Sequence, residues 1–568
     1  MVEFAQSPGR FKSFATLLHE NSYVDVGLIV LMGLVFFGGA LSGDWRWDDP
    51  QILLHLHQFS ILSDFIDPAV WQQFSPANLT PWLIFSFEID LILFGVNPSA
   101  FYLHQVLALI AAAVALYALL RLWVGNYHAL FGALLLLAGA PSFVVIEQLM
   151  TRQYVEGLVF CLLAVFCFVQ FLRGRRNLLL LLAAVFYLLA VTAKEIYVPL
   201  VLLLPFIELR ERGFLSRSLF PFIAIAVVYV LWRGWMLGSL TGGYTESREY
   251  LNIAYIPDVL NSFSQFPKLL LGSLWIPFCV LFIALLGTYA ITLRSRLLIS
   301  FVVLALVLLP LVPLVGSPGI IAPDRYLFLF WCVISFAMAF YAGCLAASAK
   351  KSNQKAMASI LWIVTPVAIV LSLFSNSPYK EQLEVAASEY DVQARFLWQS
   401  EGNTAFIPSP ILLPSFWFVT GLQDFKSGLI PDSSSPSAIV DTFYLENNYE
   451  QLYQYEQGCV CMQSITDSID SRRAQFQSLL REEAPLSLTY SYNGGIFDWE
   501  FGPHTEGSYH VVSDVLGVIP VPLAGRMRVT VQDNVPFFLK YTAPEGWISY
   551  SSEQYIKQDS PEINWVRE

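Results

Sequence analysis

Charge is scarce in this chain. Only 13% of its 568 residues are charged against 56% hydrophobic, well outside the balance of a soluble globular domain. Basic residues are the scarcer sign: 32 Lys and Arg stand against 44 Asp and Glu, a formal net charge of −12. That balance argues against nucleic acid as a partner, because a phosphate-binding surface needs a basic face, and no nucleic-acid motif is present. Cysteine is sparse too. Five of the seven (Cys161, Cys167, Cys279, Cys332, Cys344) sit inside apolar runs, where a free thiol behaves as a small core hydrophobe. Cys459 and Cys461 form a C-x-C in a polar region; it lacks the second pair of a metal site, so neither a metal contact nor a disulfide is expected of it. No small-residue cleavage site follows the first apolar run, and a polar stretch with Arg10 and Lys12 precedes it. That run reads as a retained span rather than a signal peptide. A repeat of solenoid period is also missing.

What the chain has instead is long apolar runs. Scanning for stretches able to cross about 30 Å of hydrocarbon gives about eleven candidates, near 23–42, 101–122, 128–146, 154–172, 177–193, 195–208, 217–236, 267–292, 297–315, 326–347 and 357–375. The chain therefore reads as a polytopic α-helical membrane protein. Lys and Arg stay on the cytoplasmic side, and "RGRR" (173–176), "ELRERG" (208–213), "LRSR" (293–296) and "AKKSNQK" (349–355) all fall inside if the N-terminus is cytoplasmic. The first outer loop, 43–100, carries seven acidic residues against the single Arg46. An odd number of spans then puts 376–568 on the same outer face, the periplasmic side if the membrane is a bacterial inner membrane. This tail reads as a soluble β-rich, α+β or sandwich-like domain. In "LSLTYSYNGGIFDWEF" two alternating strands meet at Asn493-Gly494-Gly495, a hairpin signal; "GRMRVTVQDNVPFFLKYTAPEGWISY" continues the alternation, and a helix is expected near 466–483.

The loop 43–100 opens on "DWRWDD", with Asp48 and Asp49 just past the first span. Its later segment "PWLIFSFEIDLILFGV" is apolar almost throughout, the pattern of a helix lying on the membrane surface. More ionisable residues fall where spans meet the outer face: Glu147 and Arg152, Lys194 and Glu195, Arg233, and Asp324 with Arg325. Any one of them alone could be a snorkelling or charge-neutralising group. Their clustering on one face beside an acidic pair points to function, because charge at membrane depth is costly. A carboxylate can act as general base on an acceptor hydroxyl, while Arg and Lys can hold a phosphate leaving group. Together they describe sugar transfer from a lipid-phosphate donor, the natural donor on a face without a nucleotide pool.

The order "W-x-W-D-D", "NLTPWLIFSFEIDLILFGVNPSAFYLHQVL", "P-x-x-x-x-I-E" with a following Arg, "AKE-x-x-x-P" and "DRYLFL" resembles the GT-C superfamily of polytopic glycosyltransferases. The nearest likeness is to its protein O-mannosyltransferase-like branch, over residues 20–350. The resemblance implies a GT-C-like membrane module, 1–375, followed by the separate domain 376–568. It implies a polyprenyl-phosphate sugar donor and a protein, glycan or lipid acceptor. It also implies catalytic roles for Asp48 and Asp49, and donor-phosphate binding by Arg152, Lys194 and Arg325; Arg233 joins them by location, with Glu147, Glu195 and Asp324 in support. The β-rich tail departs from the repeat-bearing members of that branch, and Ala140 stands where their His precedes Pro.

No cofactor is firmly expected. Oxygen ligands would suit Mg²⁺ or Mn²⁺, but His55 and His57 face apart on a helix and read as packing or acceptor contacts. Trp45 and Trp47 read as interfacial anchors, with sugar stacking as the alternative; Trp499 and Trp547 read as sheet core. The competing functions are an oligosaccharyl ligase, which shares the donor type, and a transporter, which should show broken helices or an inverted repeat. The outer domain is expected to recruit the acceptor, leaving the chemistry to the membrane module.

Overall fold

A computed structural model describes residues 22–75, 78–238, 256–293, 325–351, 355–375, 378–401, 403–413, 415–431, 435–446, 449–481, 484, 486–493, 496–528, 534–557 and 560–566. The expected span at 297–315 and Asp324 lie outside them. The chain divides into two compact units, one of Met1–Gly43 with Phe59–Glu384 and one of Asp44–Gln58 with Val385–Glu568.

The described part of the first unit is helical. Among the described residues six helices are long and apolar enough to cross a membrane: Ser22–Ser42, Pro98–Leu120, Leu149–Gly174, Arg217–Leu237, Phe263–Ile291 and Leu327–Ala349, with a bent pair, Asn126–Leu137 and Ala140–Glu147, as a seventh. The chain is an integral membrane protein. Helices Asn177–Ala193 and Arg217–Leu237 turn Leu181, Leu188, Val228 and Leu231 outward, a surface suited to lipid and unsuited to water. The expected spans at 177–193 and 195–208 are 17- and 13-residue helices, Asn177–Ala193 and Leu200–Arg212, short of the roughly 20 residues a bilayer needs. Extended backbone at Lys194, a short 3-10 turn Glu195–Tyr197 and Pro199 separate them. Tyr187 Oη donates to the Val198 carbonyl across this break at 2.8 Å.

The 52° bend of the other pair has a similar cause. Pro141 in the first turn of Ala140–Glu147 has no N–H to give the preceding turn. Carbonyls at the break are met by side chains from other helices. Trp331 Nε1 donates to Leu135 and Leu136 oxygens at 3.0 and 3.3 Å, and Ser372 Oγ to the Ala138 oxygen at 2.9 Å. Gly139 leaves room for the Trp331 ring, which any β-carbon there would strike.

The second unit has two parts. Helix Pro378–Gln399, whose residues from Val385 belong here, runs into β1 (Thr404–Ile407). Helix Trp417–Leu429 crosses over to β2 (Ser437–Ala438), which pairs parallel to β1, as does β3 (Gln451–Glu456); β4 (Cys461–Ser464) returns antiparallel. Cys459 and Cys461 are joined by a disulfide in the β3–β4 turn. This corrects the expectation that the C-x-C stays unpaired: the reversal of a hairpin brings two neighbours' side chains to one side. Helix Ile469–Leu479 follows.

A β-sandwich completes the unit. Strands β5 (Ser487–Asn493) and β6 (Ile496–Gly502) form the expected hairpin, with Asn493 opposite Ile496. The remaining strands are β7 (Ser508–Ser513), β8 (Gly517–Val521), β9 (Ala524–Arg528), β10 (Val535–Thr542), β11 (Ile548–Tyr550), β12 (Gln554–Ile556) and β13 (Ser560–Val566). One sheet runs β13-β5-β6-β9 and the other β11-β10-β7-β8, with β12 on β10. Alternation drives the pairing: Val535, Phe537, Leu539 and Tyr541 of β10 point inward onto Leu488, Tyr490, Phe497 and Trp499. Trp499 is buried in this core and Trp547 packs against it, as expected.

Candidate active site

In the second unit the acidic pair sits on a tight turn. Asp49 opens helix Asp49–Gln58 and is fully buried. Its Oδ2 accepts from Arg46 N at 2.9 Å while its own N–H donates to the Arg46 carbonyl at 3.0 Å, closing a ring around Trp47 and Asp48. Trp47 takes a left-handed conformation, φ 47°, uncommon for a bulky residue. Asp48 is half-buried and its Oδ1 accepts from Trp417 Nε1 at 3.2 Å. The turn is tied to helix Pro378–Gln399 as well. Arg46 makes a fork to Asp391, Nε to Oδ1 at 2.6 Å and a terminal nitrogen to Oδ2 at 2.7 Å, and Asp44 N donates to Asp391 Oδ1 at 2.9 Å. Burial, reinforced by Asp391, raises the Asp44 carboxyl above its ordinary range, against the pull of Trp45 N–H, Arg395 and Arg46. The Tyr390 ring lies 5.0 Å from that of Trp47, and its hydroxyl is pushed up by burial with Asp48 and Asp49 nearby.

Trp45 is 2% exposed and Trp47 packs on Tyr390, which corrects their reading as membrane-interface anchors: such an anchor must present its ring to headgroups. His55 is buried, and His57 lies against Phe425 and Gly428. Among the described residues no three His, Cys, Asp or Glu side chains gather as Mg²⁺ or Mn²⁺ would need.

In the first unit the structure brings together Lys194, Glu195 and Arg233. Glu195 Oε1 lies 3.5 Å from Lys194 Nζ and 3.9 Å from Arg233, leaving one net positive charge. Lys194 is 2% exposed, donates to Asn78 Oδ1 at 3.0 Å, and stands 5.4 Å over the Tyr154 ring. Tyr154 in turn meets Tyr326 edge-on, and Arg325 lies over Tyr326, so Arg325 joins the group through two aromatic rings. An apolar cavity of about 220 Å³ is lined by Ile196 and Tyr197, in the turn after Lys194, together with Leu162, Leu203 and Arg210.

Arg152 lies apart. It is fully buried, ion-paired to Asp90 and bonded to Gln105 Oε1 at 3.2 Å and the Phe101 carbonyl at 2.9 Å, with Phe87 against its guanidinium. Around it is a network that the sequence reading missed. His104 bridges Asp90 at 2.8 Å and Glu156 at 3.1 Å, and Glu156 also accepts from Trp82 Nε1 and Ser86 Oγ at 2.6 and 2.8 Å. Its one sequence signal is Asp90 interrupting an apolar helix. That helix, Pro81–Phe94, buries Leu83, Ile84 and Phe87 and exposes Ile92, Leu93 and Phe94. Glu147 ends the bent helix half-buried.

No protein-family model and no curated protein sequence matches the chain. Among solved structures it is similar to ArnT from Cupriavidus metallidurans bound to undecaprenyl phosphate, with 13% identity over 77% of this chain and 94% of that one and a TM-score of 0.39. It is also similar to the oligosaccharyltransferase of Archaeoglobus fulgidus. The apo form gives 11% identity, 89% and 76% coverage and a TM-score of 0.39; the complex with Zn and sulfate gives 11%, 88% and 73%, and 0.38. A likeness at these TM-scores carries no argument about what the chain does.

Proposed function

We propose that this chain is a membrane glycosyltransferase moving a sugar from a polyprenyl-phosphate donor to a hydroxyl-bearing acceptor on the extracytoplasmic face. The observation that carries the reading is a buried cation group, Lys194 with Arg233 and Glu195, in the helix break whose next residues, Ile196 and Tyr197, line an apolar cavity between helices. A cation group one residue along the chain from an apolar slot suits a molecule that is hydrocarbon at one end and phosphate at the other. The order of motifs from "W-x-W-D-D" to "DRYLFL" supports the same reading.

In this reading the polyprenyl chain occupies the cavity, and Lys194, Arg233 and Arg325 hold the phosphate. Asp48 takes the proton from the acceptor hydroxyl as its oxygen bonds to the anomeric carbon. The bond from that carbon to the phosphate oxygen breaks, and the electron pair leaves with the polyprenyl phosphate, whose growing charge the cations offset. Asp49, buried and bonded to Arg46, shapes the turn. Arg152, with its donors spent on Asp90, Gln105 and Phe101, supports the helices rather than the phosphate.

The test is turnover of a radiolabelled polyprenyl-phosphate sugar by purified protein, with Asp48→Asn as the comparison. Loss of a general base costs about 10²- to 10⁴-fold, so transfer should all but vanish while donor still binds. Uncoupled movement of the intact donor across liposomes, with no bond broken, would instead identify a transporter.

A further inference from the structure

The acidic turn directly follows the first membrane helix in sequence, yet its strongest ties are to residues some 350 positions later. Trp417 Nε1 holds Asp48 Oδ1, Gln51 Nε2 donates to the Trp417 carbonyl at 2.8 Å, and Pro50 packs on Gly421, where a β-carbon would stand 3.3 Å from it. The Arg46–Asp391 fork fixes the other side of the turn. We infer that Trp417 and the Arg46–Asp391 pair are positioning residues for proton abstraction by Asp48, so that the C-terminal part of the chain belongs to the catalytic apparatus. The inference rests on Asp48 being the general base.

Three features support it. A carboxylate swings easily about its last torsion, which has broad, shallow minima. The indole N–H occupies one oxygen and so selects the direction of the other. Second, Trp47 is held left-handed directly before Asp48, and such a conformation persists only where its surroundings over-determine it; the Tyr390 ring and the Arg46–Asp49 ring of hydrogen bonds do so. Third, Trp417 is 45% exposed. Packing alone does not call for an indole at that place, whereas a directed N–H does.

The experiment uses the full-length protein in detergent, with tritiated undecaprenyl-phosphate mannose or its glucose counterpart as donor and water as acceptor. Trp417→Phe keeps a ring and removes the donor; Trp417→His keeps a ring N–H. Trp417→Phe should lower kcat about tenfold, the weight of one hydrogen bond to a charged group, with the donor KM unchanged, and Trp417→His should recover part of the loss. Asp391→Asn should lower kcat with the same unchanged KM, and Asp391→Glu should recover part. If either Trp417 variant melts early, the comparison between the two, which share the lost volume, still isolates the N–H. Wild-type kcat in Trp417→Phe and Asp391→Asn beside an inactive Asp48→Asn would overturn the positioning roles and leave the general base standing. Full activity in Asp48→Asn would overturn the general base itself.

Discussion

Lys194 and Arg152 both bring a buried positive charge into the membrane unit, and their surroundings give them different work. Arg152 has an opposite charge in contact, two further acceptors and an aromatic face, so its charge is neutralised within the protein. Removing one partner of such a pair leaves the other buried and unpaired, which costs about 3–5 kcal/mol. Arg152→Ala should therefore melt early in detergent, while whatever folds binds donor normally. Lys194 shares Glu195 with Arg233 and has a neutral acceptor, Asn78. Lys194→Met keeps the length of the stem without the charge. It should melt near the wild type but bind the donor phosphate about 10- to 100-fold more weakly, one charge-assisted bond of roughly 1.5–3 kcal/mol. Equal donor affinity in Lys194→Met, read by competition with unlabelled polyprenyl phosphate, would remove it from the phosphate group.

At the scale of elements, β7 and β10 carry a pH dependence. His510 on β7 lies opposite Lys540 on β10, and burial first, then the Lys540 charge, lowers its pKa against the pull of Asp441. The fold thus favours neutral imidazole and the unfolded chain binds the proton more readily. Its contribution is complete above the ordinary histidine pKa of about 6.5 and is lost as pH falls from there through the lowered folded value. The opening free energy of the sandwich amides, taken from hydrogen exchange after division by the intrinsic rate at each pH, should fall between pH 7.5 and 5.5, and His510→Gln should flatten that change. The same elements show what was legible in sequence. Period-two alternation and a two-residue Gly-Gly link gave the β5–β6 hairpin directly, because its contacts are local. The break at Lys194 was legible only as charges and a proline between two short apolar runs. The hold of Trp417 on Asp48, across 369 positions, was not legible, since nothing near either residue marks a partner so distant. Trp45 and Trp47 were misread for the same reason: composition places tryptophan at a membrane edge, while tertiary contacts placed these two in a packed turn.

The molecule as a whole sorts its cysteines by environment. Cys161, Cys167, Cys279, Cys332 and Cys344 keep their thiols and lie on the apolar helices, whereas Cys459 and Cys461, in the β3–β4 turn, are joined. Disulfides persist where the compartment is oxidising. A polar unit that carries its own disulfide is suited to an oxidising compartment, and the spread of Lys and Arg along the sequence leads to the expectation of an extracytoplasmic tail by a different physical rule. Both arguments meet in one measurement. In spheroplasts of a bacterial host, a membrane-impermeant maleimide should leave the peptide containing Cys459 and Cys461 unmodified until an impermeant reductant is added, and should then label it without lysis. The thiols on the apolar helices should stay unlabelled throughout, since lipid and packing shield them. Labelling of Cys459 and Cys461 before reduction would mean that the bond does not form in the cell. Labelling only after the membrane is opened would place this unit in the cytoplasm, where a polyprenyl-phosphate donor loses its advantage over a nucleotide sugar and the proposed chemistry loses its reason.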